Sequence, residues 1–108
     1  MKKTYKVEWA SVAENDLRRI LAYIATDSPD TALHIFKRIR QKASSLYTLP
    51  ERGRIVPELQ GQGINIYREL IIAPWRIIYR ITDKTVFVLS VIDSRQNIED
   101  ILLNRLLK

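Results

Sequence analysis

Four arginines in the second half of the chain, Arg68, Arg76, Arg80 and Arg95, are the residues best suited to chemistry on an anion. A guanidinium presents a planar fork of donors that fits a carboxylate or phosphate two bonds at a time, and it stays charged at any physiological pH. Such a group can clamp a phosphate and stabilise charge developing on it. The side chains that would turn a clamp into a catalyst are scarce. There is no cysteine, and the one histidine, His34, falls on the polar side of a helical pattern beside Lys37 and Arg38, where a solvated side chain is expected. Structural zinc and cysteine catalysis are thereby excluded. Asp16, Asp27 and Asp30 do not have the spacing of a calcium loop. Gly61-Gln62-Gly63 lacks the preceding strand and following helix of a phosphate-binding loop and reads as a turn. No metal or cofactor is expected, and Trp9 and Trp75 are assigned to the core.

The elements that must position these arginines can be read from periodicity. Tyr5 to Trp9 alternates as a short strand. Ser11-Val12-Ala13-Glu14 matches a capping box, and Val12, Ala13, Leu17, Ile20, Leu21 and Ile24 form one apolar stripe, leaving Asp16, Arg18 and Arg19 toward water. Ser28-Pro29-Asp30 starts a second helix that stops near Leu49-Pro50, so the two helices form an antiparallel hairpin. After a loop from Glu51 to Gly63, three strands follow: Ile66 to Ile72, Trp75 to Ile81 and Thr85 to Ile92, with tight polar connections. On the middle one Trp75, Ile77, Tyr79 and Ile81 share a face that packs on the hairpin, which puts Arg76, Ile78 and Arg80 on the opposite, accessible face. Asn97 caps a terminal helix bearing Ile98, Ile101, Leu102 and Leu106. The expected fold is a single α+β domain over residues 1–108, β-α-α-β-β-β-α, with an antiparallel sheet against an N-terminal helix hairpin and a short C-terminal helix.

The 108 residues carry a net charge of +6, and its location is uneven. Residues 1–36 and 81–108 are each balanced, so the excess falls in 37–80, where nine basic side chains, seven of them arginine, face three acidic ones. A solvated basic face and a surface for an anionic partner, nucleic acid or acidic protein, both fit this composition. Arg68, Arg76, Arg80 and Arg95 are expected to converge on one sheet face, where like charges repel unless Glu58 and Glu69 neutralise part of them. The longest apolar runs fall far short of a membrane span, and Met1-Lys2-Lys3 is followed by no apolar leader, so a cytoplasmic location is expected.

From the first helix to Arg95 the chain resembles the RelE/ParE superfamily, the toxic halves of bacterial type II toxin-antitoxin modules, also called plasmid stabilisation proteins. The resemblance is carried by Ala13-Glu14-Asn15-Asp16-Leu17, by Leu49-Pro50-Glu51-Arg52-Gly53-Arg54-Ile55-Val56-Pro57-Glu58-Leu59, by Tyr67-Arg68-Glu69-Leu70, by Trp75-Arg76-Ile77-Ile78-Tyr79-Arg80-Ile81, and by Val88-Leu89-Ser90-Val91-Ile92-Asp93-Ser94-Arg95. The Gly-Arg-x-Val-Pro-Glu-Leu stretch and the two-helix start are most similar to the ParE branch. The resemblance implies growth inhibition relieved by a cognate acidic antitoxin, with Arg54, Glu58 and Arg80 on a binding surface. ParE-type toxins poison DNA gyrase by protein contact, for which the Ile98, Ile101 and Leu102 face would serve. RelE-type toxins cut mRNA in the ribosomal A site, and in that alternative Arg68, Arg76 and Arg95 take the places of the phosphate-holding basic residues. No tyrosine or histidine follows Tyr79, and Asp93 stands where many members show histidine, so the residue that moves a proton is missing. Gyrase poisoning is therefore the preferred implication, mRNA cleavage or a non-toxic binding module the alternatives, with a homodimer left open.

Overall fold

The computed structural model describes residues 3–106, so Met1 and Lys2 of the leader reading lie outside it. Strand β1 (Lys6–Trp9) leads into helices α1 (Ser11–Ala25) and α2 (Pro29–Ser44), and a short 3-10 turn (Ser45–Tyr47) follows. Strand β2 (Arg54–Ile55), the one-turn helix α3 (Pro57–Gln60), strands β3 (Tyr67–Ile72), β4 (Trp75–Thr82) and β5 (Thr85–Asp93) and helix α4 (Ile98–Leu106) complete the chain. The sheet runs β1-β5-β4-β3-β2. It is antiparallel from β2 to β5, while β1 joins β5 in parallel, Lys6 opposite Thr85 and Trp9 opposite Val88. Alternation along a strand says which face a residue takes and nothing about its partner, so this edge pairing has no signature in the sequence.

The second helix begins as its residues require: Ser28 Oγ accepts from the Thr31 amide at 3.2 Å, with Pro29 in the first position. Helix α4 is capped in the same way by Asn97, whose Oδ1 accepts from the Asp100 amide. The capping box expected at α1 does not form. Ala10 is the cap, Ser11 is already inside the first turn, and the Glu14 carboxylate turns instead to a bidentate pair with Arg40 at 2.8 and 2.9 Å. A charge-assisted pair of two bonds outweighs a single bond to a backbone amide. Arg40 also lies 4.2 Å over the Trp9 ring, which ties β1, α1 and α2 together.

The sheet buries both faces. Leu17, Ile39, Leu46, Leu70, Ile77, Tyr79, Val86 and Val88 form the core beneath the α1/α2 hairpin. On the other side Val56, Leu59, Tyr67, Ile78, Ile92, Ile98 and Leu102 form a second core beneath α3 and α4. The face expected to be open is therefore covered. The segment read as a loop from Glu51 to Gly63 contains β2 and α3, both too short to show a period, and α3 supplies the cover. A register shift between Ile78 and Tyr79, opposite Leu89, adds a bulge to the β4/β5 pair.

Candidate functional site: an arginine network and an edge groove

Strand alternation divides the four arginines instead of gathering them. Arg68 lies on the hairpin face with Leu70 and Ile72, while Arg76 and Arg80 lie on the α3/α4 face and Arg95 follows the end of β5. Arg68 reaches back to the loop before β2, donating to the Gly53 carbonyl at 2.8 Å. Arg80 is exposed near the end of β4. Convergence on one sheet face does not occur.

Arg76 is buried, 6% exposed, because Glu58 and Glu69 enclose it. Its Nη1 and Nη2 donate to the two Glu58 oxygens at 2.7 Å each, and its Nε donates to Glu69 Oε1 at 2.7 Å. Glu69, fully buried, also accepts from Arg54 Nε at 2.6 Å across the β2/β3 pair. Two carboxylates and two guanidinium groups thus neutralise one another in a single chain, joining α3 to three strands. The Arg76 fork beside Glu58 holds that carboxyl below the usual carboxylate range, and the same bonds raise the already high pKa of Arg76. The neutralisation by Glu58 and Glu69 weighed from the sequence is what the fold builds, and it leaves Arg76 without a free donor edge for a phosphate.

Tyr79, the last tyrosine, is equally committed. Its hydroxyl accepts from the Gly53 amide at 2.9 Å and donates to the Pro50 carbonyl at 2.7 Å, and burial pushes its pKa up. A Cβ at Gly53 would meet that hydroxyl at 2.6 Å and the Glu69 carbonyl at 2.5 Å, so only glycine permits the loop to close over the strands. A residue enclosed in this way cannot shuttle a proton to solvent.

At the opposite end of the sheet, where Ile72, Trp75 and Asp93 pair side by side, a groove of about 680 Å³ opens between the helix hairpin and α4. Tyr23, Ile24, Ile35, Trp75 and Ile101 supply its apolar lining. Arg19, Arg95 and Arg105 supply charge, and Tyr23 is the most exposed large apolar side chain of the described residues, at 81%. Arg95 closes a two-bond pair on Asp93, whose own carboxyl is held down to about 2 by that guanidinium and by the Arg95 amide.

Asp16 anchors the groove wall. It was expected toward water, yet it is buried, accepting from the Val91 amide at 3.0 Å and from Arg105 at 2.7 and 3.1 Å. Beyond Trp9 the strand β1 has left the sheet, so this carboxylate completes the edge of β5 and Arg105 completes the carboxylate. A signal existed: Asp16 falls three residues from Ala13 and four from Ile20, inside the apolar stripe of α1. Ile98 and Leu102, expected to form a free face for a protein partner, are core residues, and Ile101 alone of the three lines the groove.

Among solved structures the chain is similar to the toxin-antitoxin complex RelBE2 from Mycobacterium tuberculosis, with 20% identity over 86% of this chain and 94% of that one, and a TM-score of 0.58. It is also similar to the chromosomal ParDE toxin-antitoxin system from P. aeruginosa, with 20% identity over 84% and 97% and a TM-score of 0.68. These likenesses define the fold as RelE/ParE-like. Residues 7–98 match the ParE toxin of the type II toxin-antitoxin system, parDE, and the chain belongs to that family. No curated relative matches it. Among the described residues no helix is long and apolar enough to cross a membrane.

Proposed function

We propose that this chain is a growth-inhibiting toxin acting on a protein target, DNA gyrase, and neutralised by a cognate acidic antitoxin, all within the cytoplasm. The observation that carries this reading is the commitment of Arg76 to Glu58 and Glu69. A phosphate clamp needs donors facing an open site, and here Arg76 is neutralised, Arg68 lies on the opposite sheet face and Arg95 is paired to Asp93. In-line cleavage also needs a base, and Tyr79 is buried with both its bonds made. The family match supports the toxin reading, and the two similar complexes support an antitoxin partner, because both are toxin-antitoxin assemblies.

Recognition of a protein depends on apolar anchors ringed by polar groups, and the edge groove offers Tyr23, Trp75 and Ile101 beside Arg19, Arg95 and Arg105. An acidic, apolar antitoxin segment that folds on binding fits that composition. The test is gyrase supercoiling and DNA cleavage with the purified chain, in the presence and absence of antitoxin. Cleaved DNA that accumulates with toxin and disappears with antitoxin is expected. Unchanged gyrase activity beside A-site mRNA cleavage in a translating extract would instead favour the ribonuclease alternative.

A further inference from the structure

The edge groove contains a length of bare strand. Strand β1 ends at Trp9, and the last bond between it and β5 runs from the Ala10 amide to the Val88 carbonyl at 2.9 Å. Beyond that point β5 continues to Asp93 with no strand on its outer edge. The bulge at Leu89 decides which groups that edge presents, because an extra residue shifts the phase of the ladder. Before the bulge the even residues turn outward, as the Val88 carbonyl does; after it the odd residues turn outward. The Val91 amide accordingly points out, to Asp16, while the Ser94 amide points in, to the Pro74 carbonyl at 2.7 Å. By the same alternation the Val91 carbonyl and the Asp93 amide face outward. Outside the β4/β5 ladder no group among the described residues bonds to either.

Both groups open into the groove, since Val91 and Asp93 line it, and the groove straddles the sheet edge. Tyr23, Ile35 and Trp75 line it on the hairpin face, Ile92 and Ile101 on the α4 face. Alternate side chains of a strand point to opposite faces. A segment laid along this edge therefore puts apolar side chains against both walls, while its backbone supplies a donor to the Val91 carbonyl and an acceptor to the Asp93 amide. A helix cannot do this, because its own backbone groups are bonded within it. Charge narrows the choice further. Three guanidinium groups, Arg19, Arg95 and Arg105, stand against two carboxylates, Asp16 and Asp93, around the groove. Arg19 uses only Nη2 on Asp16, and Arg95 uses Nε and Nη2 on Asp93, so donors remain free on side chains that are 73% and 76% exposed. Free cationic donors beside apolar walls complement an acidic, apolar segment.

We propose that the cognate antitoxin fills this groove as an added strand: a short extended run of consecutive apolar residues, flanked by Asp or Glu, bonded through its backbone to Val91 and Asp93. The inference rests on the proposed antitoxin role of the groove and specifies how the groove is filled. Main-chain bonds give such a contact its affinity, and the walls on the two faces give it selectivity. Its length is bounded by the fold. Asp16 and Arg105 join α1 to α4 across the edge at Val91, so the added strand stops there, short of β1.

The test titrates the purified antitoxin-free chain with the peptide fluoresceinyl-Glu-Glu-Val-Ile-Val-Glu-Glu-amide by anisotropy, and follows amide hydrogen exchange by NMR. Binding is expected at peptide concentrations up to about 1 mM, with exchange of the Asp93 amide slowed about tenfold or more. N-methylation of the peptide's central Val-Ile pair blocks both strand edges, keeps every side chain and should weaken binding about tenfold or more. Asp93→Pro removes the outward amide without taking a bond from β4 and should do the same, whereas Asp93→Asn should bind at least as well as the unmodified chain. Tyr23→Ala, at an exposed wall residue, should weaken binding about fivefold. Circular dichroism checks that each variant is folded, and the N-methylated peptide needs no variant. Absence of binding by the parent peptide, or equal binding by the N-methylated one, overturns the added strand. The same exchange measurement on the complex with the antitoxin co-expressed from the adjoining gene separates this inference from the reading it rests on. An antitoxin that binds and neutralises while the Asp93 amide stays unprotected defeats the strand and keeps the antitoxin role; an antitoxin that does not bind defeats both.

Discussion

Arg76 is the residue that the ribonuclease alternative would use as a phosphate clamp, and its environment decides what substitution there can mean. Glu69 is wholly buried and depends on Arg76 and Arg54 for its charge. Removing one partner of a buried ionic group leaves an uncompensated charge, so Arg76→Ala should cost about 3 to 5 kcal/mol of stability, read by urea unfolding. Loss of toxicity in that variant would then travel with loss of fold. The joint replacement of Arg76 by Met with Glu69 by Gln, which removes a cation together with the buried anion, should recover part of the stability. A recovered fold with recovered toxicity would show that the guanidinium is not a chemical participant. The Asp93 carboxyl carries a separate expectation. Its pKa is lowered in the folded chain from 3.8 to about 2 by Arg95, so the pair contributes stability that is complete above the unfolded value and lost as pH falls through about 2. An NMR titration of the Asp93 carboxyl should place its midpoint there, and Arg95→Ala should return it toward 3.8.

Helix α4 is a core element held by three devices: Ile98 and Leu102 in the second core, the Asn97 cap, and Arg105 on Asp16. Leu102→Ala should therefore destabilise by about 2 to 5 kcal/mol, the range for a buried leucine whose cavity cannot collapse. Truncation after Arg95 should unfold the α3/α4 side of the sheet, with thermal unfolding and near-ultraviolet dichroism as the readouts, so its effect on toxicity reports stability before contact. Asp16→Ala strands the Val91 amide and Arg105 together and should cost about 3 kcal/mol. Much of this element structure is legible in the sequence. The helix hairpin follows from Ser28-Pro29 and the apolar stripe of α1, the three long strands from their alternation, and α4 from Asn97. The two-residue β2 and four-residue α3 are shorter than any period, and because α3 was hidden, the burial of Arg76 was hidden with it. The parallel pairing of β1 depends on which elements meet, a property of the packed chain that no local pattern carries, whereas Asp16 does fall within the apolar stripe of α1 and only its partners, Val91 and Arg105, depend on the packing. Of the candidate site residues, Arg76, Glu58, Glu69 and Arg54 do come together, as a closed network instead of an open clamp.

At the Ile72, Trp75 and Asp93 end every arginine around the groove is paired, and the exposed surface offers apolar rings to a partner. Apolar rings at an open groove and a closed Arg76 network suit the protein-directed reading, and they suit poorly a nuclease whose clamp should be open. The most direct test of a gyrase-directed toxin is pulse labelling of DNA and protein synthesis in cells after induction of the unmodified chain without antitoxin. DNA synthesis is expected to stop first, with translation declining later and co-induced antitoxin preventing both. Early loss of translation with cleaved mRNA, while DNA synthesis and supercoiling continue, would contradict it.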